Sequence, residues 1–284
     1  MMNKTKGIVL LAQNNETTDY VQQACLLALS LKFTNSNCKI SIVTDDSVSV
    51  KYKNLFDEII NIPWDDAAID TEWKIENRWK LYHCSPYDQT IVMDTDMLVL
   101  QDISTWWTFL SNYEVFFTTK VHTYRGDEVT GDYYRKAFVN NNLPNLYSGF
   151  HYFEKSDFAL EFYTWLELVV QNWQKFYEIF IKHDKPTWCS IDVCTAIVTL
   201  ILNCEDKISN KIVKFPSFTH MKPNIQNWYS NKDRWKNCVD VYLDNDLQLK
   251  IGNHQQTGIL HYTENNFVKP HMLASYYKEL YNDN

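Results

Sequence analysis

Apolar residues in this chain come as short blocks separated by helical patterns, and their order predicts an α/β fold. Residues 7–12 (GIVLLA) read as a first buried strand. A helix is expected over 17–33, with Val21, Ala24, Leu27, Ala28 and Leu31 on one face and Thr18 or Asp19 as cap. Residues 39–44 (KISIVT) give a second strand ending in Asp45-Asp46. Residues 58–62 give a third, closed by Pro63. A helix over 77–84 and a strand over 90–93 follow, the latter running into Asp94. Strands alternating with helices predict a mainly parallel sheet with right-handed crossovers.

Past residue 100 the pattern loosens. Residues 114–119 and 149–153 read as strands, and 157–181, 191–202 and 270–280 as helices. The stretch 121–146 is polar, rich in Asn and carries Gly126 and Gly131, which marks a long loop or lid. Residues 239–251 alternate around Asp244-Asn245-Asp246, a hairpin with a turn at its tip. No repeat, low-complexity tract or linker divides the 284 residues, so one integrated domain is expected.

Composition narrows the functional classes. With a formal net charge of −8, the chain lacks the basic surface a sequence-independent phosphate grip needs, and a nucleic-acid partner is not expected. Aromatics are plentiful, with 18 Tyr, 15 Phe and 10 Trp, which suits stacking on sugar or base rings as well as core packing. The seven cysteines are odd in number and lack zinc-ribbon spacing, so free thiols in a reducing compartment are expected. The longest apolar runs are too short to cross a membrane, and the polar start, residues 1–6, shows no signal peptide. Together these features predict a cytoplasmic protein.

The sharpest feature is Ile91-Val92-Met93-Asp94-Thr95-Asp96-Met97-Leu98-Val99-Leu100. Unpaired buried charge is costly, so an apolar strand that runs into two carboxylates needs a reason. Side chains two apart on extended backbone point the same way, so Asp94 and Asp96 can converge on one cation. The carboxyl end of a parallel strand faces the ligand crevice of an α/β sheet. Hard oxygen ligands there suit Mg²⁺ or Mn²⁺ bridging to a diphosphate. The competing reading is a solvated turn, which the second triplet, Asp244–Asp246, illustrates. A haloacid-dehalogenase phosphatase motif also ends a strand in Asp-x-Asp, but on the first strand and with Thr or Val where Leu98 stands here.

Taken with their surroundings, these residues resemble the GT-A glycosyltransferases, particularly the glycogenin-like and galactosyltransferase-like family eight. Asn77-Arg78-Trp79-Lys80-Leu81-Tyr82 is similar to the family's basic and aromatic helix, and Met93-Asp94-Thr95-Asp96-Met97-Leu98-Val99-Leu100 to its Leu-Asp-x-Asp-x-x-Val-Leu strand. Tyr147-Ser148-Gly149-Phe150-His151-Tyr152-Phe153 looks like its Asn-Ser-Gly-x-x-x-Phe strand, with Tyr147 in place of Asn. His261-Tyr262-Thr263 and Lys269-Pro270 look like its His-Phe-x-Gly-x-x-Lys-Pro-Trp segment, without the glycine and with His271 in place of Trp.

The resemblance implies a GT-A (Rossmann-like) fold, a mixed, mainly parallel sheet flanked by helices. Residues 1–110 would be its nucleotide-sugar half, and 111–284 its acceptor side with the C-terminal metal and diphosphate segment. It implies Asp94, Asp96 and His261 as metal ligands, the imidazole favouring Mn²⁺ over Mg²⁺. Lys269 would sit on the donor diphosphate, with Lys80, Thr95, Ser148 and Gly149 also on the donor side. Leu11, Ala12, Asn14 and Asp45 would lie near base and ribose. Asp192 matches an Asp that the family keeps near the acceptor and the anomeric carbon; its alternative is a first-turn acid on a helix dipole. His220 and Lys222 lie in a loop mixing cations and aromatics (Phe218–Pro223, then Trp228-Tyr229) that suits a phosphate or an acceptor, or simple packing. The implied activity is hexose transfer from a nucleotide diphosphate sugar, UDP-linked, to an acceptor hydroxyl such as a glycan's, with retention. A phosphohydrolase or nucleotidyltransferase on the same carboxylates, and a silent sugar-nucleotide-binding protein, stay open at this point.

Overall fold

The computed structural model describes residues 4–129, 135–210, 215–223, 235–264 and 267–281. The first half holds β1 (Lys6–Leu11), α1 (Tyr20–Thr34), β2 (Ile40–Val43), β3 (Glu58–Ile60), α2 (Leu81–Cys84), β4 (Gln89–Met93) and β5 (Met97–Val99). Next come α3 (Trp106–Leu110), β6 (Val115–Thr118), β7 (Val121–His122), α4 (Lys136–Asn141) and β8 (Tyr147–Glu154). Helices α5 (Asp157–Gln171), α6 (Trp173–Phe180), α7 (Ile191–Ile201) and α8 (Glu205–Ile208) follow. The remainder is β9 (Phe218–His220), β10 (Val241–Leu243), β11 (Leu249–Ile251), β12 (His254–Gln255), β13 (Ile259–His261) and α9 (Pro270–Tyr281).

The central sheet runs β3-β2-β1-β4-β8-β6. Its first four strands are parallel and β8 is antiparallel to both neighbours, so the architecture is mixed α/β, mainly parallel, with helices on both faces. Alternation along the strands sorts two cores. Ile8, Leu10, Ile91 and Met93 lie in the core that holds α1 and α9, whereas Val9, Val92, Phe117 and Phe153 lie in the one that holds α5 and α7. Such side chains contribute roughly 1.5–3 kcal/mol each when fully buried. Helix α1 starts where Asp19 accepts a hydrogen bond from the Gln22 amide. Inside it, buried Ser30 donates to the Leu27 carbonyl and accepts from the Val99 amide, tying the helix to β5. Burial extends around most of α1, wider than the single apolar face expected, because α9 covers the side away from the sheet.

Three local expectations change. The helix expected over 77–84 begins as a 3-10 turn, Arg78–Lys80, before α2. The helix expected over 157–181 breaks at Asn172, which ends α5 and leads into α6. The stretch 121–146 holds β7, α4 and a packed turn rather than one open loop, residues 130–134 lying outside those described. The hairpin holds as β10–β11, with the Asp244 carboxylate accepting from the Asp246 and Gln248 amides, so that second acidic triplet closes a turn.

A smaller sheet, β5-β13-β9-β7, stands beside the carboxyl end of β4. Its central strand β13 lies antiparallel to β5 and parallel to β9, placing His261 opposite Met97 on one side and His220 on the other. Among the described residues no helix is long and apolar enough to cross a membrane.

Candidate metal centre and cleft

Strand β4 ends at Met93, and its ladder runs one residue further, the Asp94 amide donating to the Gly149 carbonyl at 2.9 Å. The backbone then turns through Asp94-Thr95-Asp96 into β5. On the far side, the Tyr262 amide donates to the Asp96 carbonyl at 3.0 Å and draws His261 against the turn. The result is a cluster in which one ligand atom each from Asp94, Asp96 and His261 lies within 4.8 Å of the others. His261 Nε2 is 3.0 Å from Asp96 Oδ1 and 3.7 Å from Asp94 Oδ2. Residues 165 apart in sequence (96 to 261) thus share one site.

Gly149 leaves the space this needs. A Cβ there would come within 3.1 Å of Asp94 Oδ2, 3.1 Å of Met97 Cε and 3.3 Å of His261 Cε1. The strand around it is irregular: Phe117 pairs with His151, yet the next residue, Thr118, pairs with Tyr147. This bulge releases Ser148–Phe150 from β6 and frees the Ser148 amide to donate to Asp192 Oδ1 at 2.8 Å.

Electrostatics set the cluster apart. Burial pushes the Asp94 carboxyl up, and the nearby Arg78 guanidinium and His261 only partly offset this. Burial also raises Asp96, but His261 at hydrogen-bond distance, with Arg78 and a backbone hydrogen bond, outweighs it and holds that carboxyl below the usual range. For His261 burial favours the neutral ring, while Asp96 and then Asp94 draw it up. Asp94 Oδ1 is buried and faces Arg78 in an ion pair. His261 Nδ1 is likewise buried without a hydrogen-bond partner among the described residues. Two carboxylates and an imidazole converging are a donor set that fits a divalent cation. His220 stacks on the His261 ring, centroids 4.6 Å apart at 11°, and burial pushes its own imidazole far toward the neutral form.

The cluster opens into a cleft of ≈160 Å³ walled by Leu11, Gln13, Tyr20, Trp73, Lys74, Ile75, Arg78 and the Asp94-Thr95-Asp96 turn. Leu11 and Thr95 therefore line it. Ala12 is buried behind, its amide donating to the Val43 carbonyl. Asn14 accepts from the Val21 amide, and its own amide donates to Asp46. Asp45 accepts from the Ile62 amide and Asn61, which joins the ends of β2 and β3. Lys80 is buried and donates to the Asp65 carbonyl, so the cation facing the carboxylates is Arg78. Lys222 and Lys269 are exposed, Lys269 at the start of α9, and neither is among the residues walling the cleft. Trp228 and Tyr229 lie outside the described residues.

Asp192 opens α7 and is held from both sides, by the Ser148 amide and by Arg135. Burial raises its carboxyl, and Arg135 with the Ser148 amide more than reverses this. Arg78 and Arg135 escaped the site residues expected from sequence. Arg78 lay inside the quoted Asn77–Tyr82 motif, and only the 3-10 geometry separates its direction from that of Lys80. Arg135 carries no local signal.

Fold and cleft together define a mixed α/β protein with an Asp-Asp-His cluster at the carboxyl end of its fourth parallel strand. No family model and no curated protein matches the chain. Solved structures do, at low identity. The glycosyltransferase GlyE of Streptococcus pneumoniae TIGR4 is 14% identical at a TM-score of 0.41, over 72% of this chain and 46% of that one. The galactosyltransferase LgtC with donor and acceptor sugar analogues is 14% identical at 0.45, over 68% and 70%. Mouse xyloside xylosyltransferase 1 in its apo form is 11% identical at 0.49, over 93% and 99%. The chain spans less than half the length of GlyE.

Proposed function

We propose that this chain is a metal-dependent GT-A glycosyltransferase that moves a hexose from a UDP-linked sugar to an acceptor hydroxyl with retention. The observation that carries the reading is the convergence of Asp94, Asp96 and His261, from well-separated parts of the sequence, in one cluster beside a cleft at the carboxyl end of β4. Residues 1–110 form the donor half and 111–284 the acceptor side, a glycan being the acceptor class that the aromatic content suits. The donor side comprises Leu11, Ala12, Asn14, Asp45 and Thr95 toward base and ribose, and Lys80, Ser148 and Gly149 toward the sugar diphosphate.

Asp94, Asp96 and His261 would hold Mn²⁺, or Mg²⁺ with less help from the imidazole. When bound, the ion supplies Lewis-acid stabilisation of the departing diphosphate. The protein does the rest. Gly149 keeps the ligands' space open, the His220 ring fixes the plane of His261, and Arg78 sets a positive charge beside Asp94. Lys222 and Lys269 are the cations proposed to meet the diphosphate. Asp192, held ionised, is the carboxylate we assign to the anomeric carbon and acceptor. Its two oxygens already accept hydrogen bonds, which suits an electrostatic task more than nucleophilic attack. The seven free thiols suit work in the cytoplasm.

A thermal-shift screen of sugar nucleotides with and without Mn²⁺ tests the reading. One UDP-sugar is expected to raise the Tm only with the metal present, since a ligand at 100 times its Kd stabilises by about 2.7 kcal/mol. Asp96→Asn should abolish that rise. Equal stabilisation of Asp96→Asn and wild type, or release of phosphate from simple monoesters without sugar transfer, would sink it.

A further inference from the structure

Arg135 is a side chain that no sequence pattern singled out, yet it is among the most thoroughly engaged in the described protein. It is buried, and its guanidinium lies 3.7 Å from the Phe138 ring centroid and 4.1 Å from that of Tyr147, stacked against both. Nε donates to Asn145 Oδ1 at 2.9 Å, one terminal nitrogen to the Leu146 carbonyl at 2.5 Å, and the other to Asp192 Oδ2 at 2.5 Å. It therefore joins the start of α4, the turn that feeds β8, and the first turn of α7. Holding a planar cation at this junction needs the fixed fork of arginine, which a lysine ammonium cannot reproduce.

The second hold on Asp192 comes from the Ser148 amide. Ser148 precedes Gly149, whose carbonyl takes the Asp94 amide and whose Cα lies against Asp94 and His261. Asp192 is thus one backbone residue removed from the Asp-Asp-His cluster, and Arg135 is the charged side chain that aims it. We infer that Arg135 is a positioning residue: it fixes Asp192 in place and ionised beside the cluster, and so acts on turnover through Asp192 alone. This builds on the glycosyl-transfer reading for the consequence in turnover, but the coupling of the two side chains stands on geometry. The low carboxyl range of Asp192 agrees with it.

The test has two arms. In the first, ¹³C-labelled aspartate NMR, with Asp192→Asn to assign the signal, follows the titration of the Asp192 carboxyl in wild type, Arg135→Lys and Arg135→Met. Its midpoint should move up in Arg135→Met and less in Arg135→Lys. An unmoved midpoint in a folded Arg135→Met protein overturns the inference. The second arm measures transfer or donor hydrolysis for wild type, Arg135→Met, Asp192→Asn and the double variant. Arg135→Met should lower kcat about 10²-fold, the scale of a misplaced catalytic group, with donor KM within about two-fold. The double variant should be no slower than Asp192→Asn, because removing Asp192 removes the route through which Arg135 acts. Multiplied losses in the double variant would show an independent role and refute the inference. If wild type turns over no sugar nucleotide while the titration shift appears, the proposed function fails and the Arg135–Asp192 coupling survives.

Discussion

Gly149→Ala isolates the space around the cluster from everything else in the protein. The added methyl would lie 3.1 Å from Asp94 Oδ2, 3.1 Å from Met97 Cε and 3.3 Å from His261 Cε1, each short of ordinary contact by up to a few tenths of an ångström. Strand β8 is restrained on both sides of Gly149, because β4 pairs with Phe150–Glu154, the Asp94 amide bonds the Gly149 carbonyl, and β6 pairs with Tyr147 and His151. The Met97 thioether can swing aside cheaply. Asp94 and His261 cannot, because the amide of the first is fixed to Gly149 and the second sits in the middle of the small sheet. Overpacking of this kind costs about 1–3 kcal/mol. A displacement near 0.3 Å exceeds the roughly 0.2 Å tolerance of a metal–ligand distance, so Mn²⁺ affinity should fall about 10- to 100-fold. Calorimetric Mn²⁺ titration measures the affinity, and urea denaturation of metal-free protein measures the stability. Wild-type Mn²⁺ affinity in folded Gly149→Ala would refute the assignment of these three side chains as ligands.

Two further perturbations probe the charges. Arg78→Met removes the cation beside largely buried Asp94, which costs about 3–5 kcal/mol in metal-free protein. Saturating Mn²⁺ should narrow that gap to wild type, and a gap that ignores the metal would contradict the site. His151 is buried against the Phe117 ring, and burial pulls its pKa down to about 4. The folded protein therefore prefers the neutral ring, and its contribution is complete above the unfolded value of about 6.5. It is lost as pH falls toward 4, by about 3 kcal/mol in all. His151→Gln should flatten the fall in urea-derived stability between those limits by up to one proton, and an unchanged slope would count against the buried neutral imidazole.

Much of this architecture was legible in the sequence because it is local. The apolar runs of β1, β2 and β4 and the cap at Asp19 declare themselves within a few residues. So does the turn at Asp244, whose carboxylate bonds the next amides. What stayed hidden depends on partners. Met97–Val99 reads as a continuation of the Asp94 motif, and nothing in it says that β13 will pair there. Strands of two or three residues, such as β7 and β9, are too short to show a period. Arg78 was not singled out because a 3-10 turn, which rotates about 120° per residue and sends Arg78 and Lys80 apart, leaves no mark in the motif. Arg135 was invisible because its partners, Asn145, Leu146 and Asp192, meet only after the chain has folded.

Strand β13 lies between β5 and β9 and brings His261 to carboxylates that precede it by 165 (96 to 261) and 167 (94 to 261) residues. The cluster is therefore an assembly check as much as a site. A chain still lacking β13, whether nascent or clipped, keeps both aspartates but offers an ion only a weak oxygen pair. On the proposed metal reading, full affinity would follow closure of the small sheet. Closure of so long a loop is entropically costly, and a bound ion would return part of that cost as a clasp between the early and late parts of the polypeptide. Metal supply would then govern how tightly the late strands are held as well as what the cleft can do.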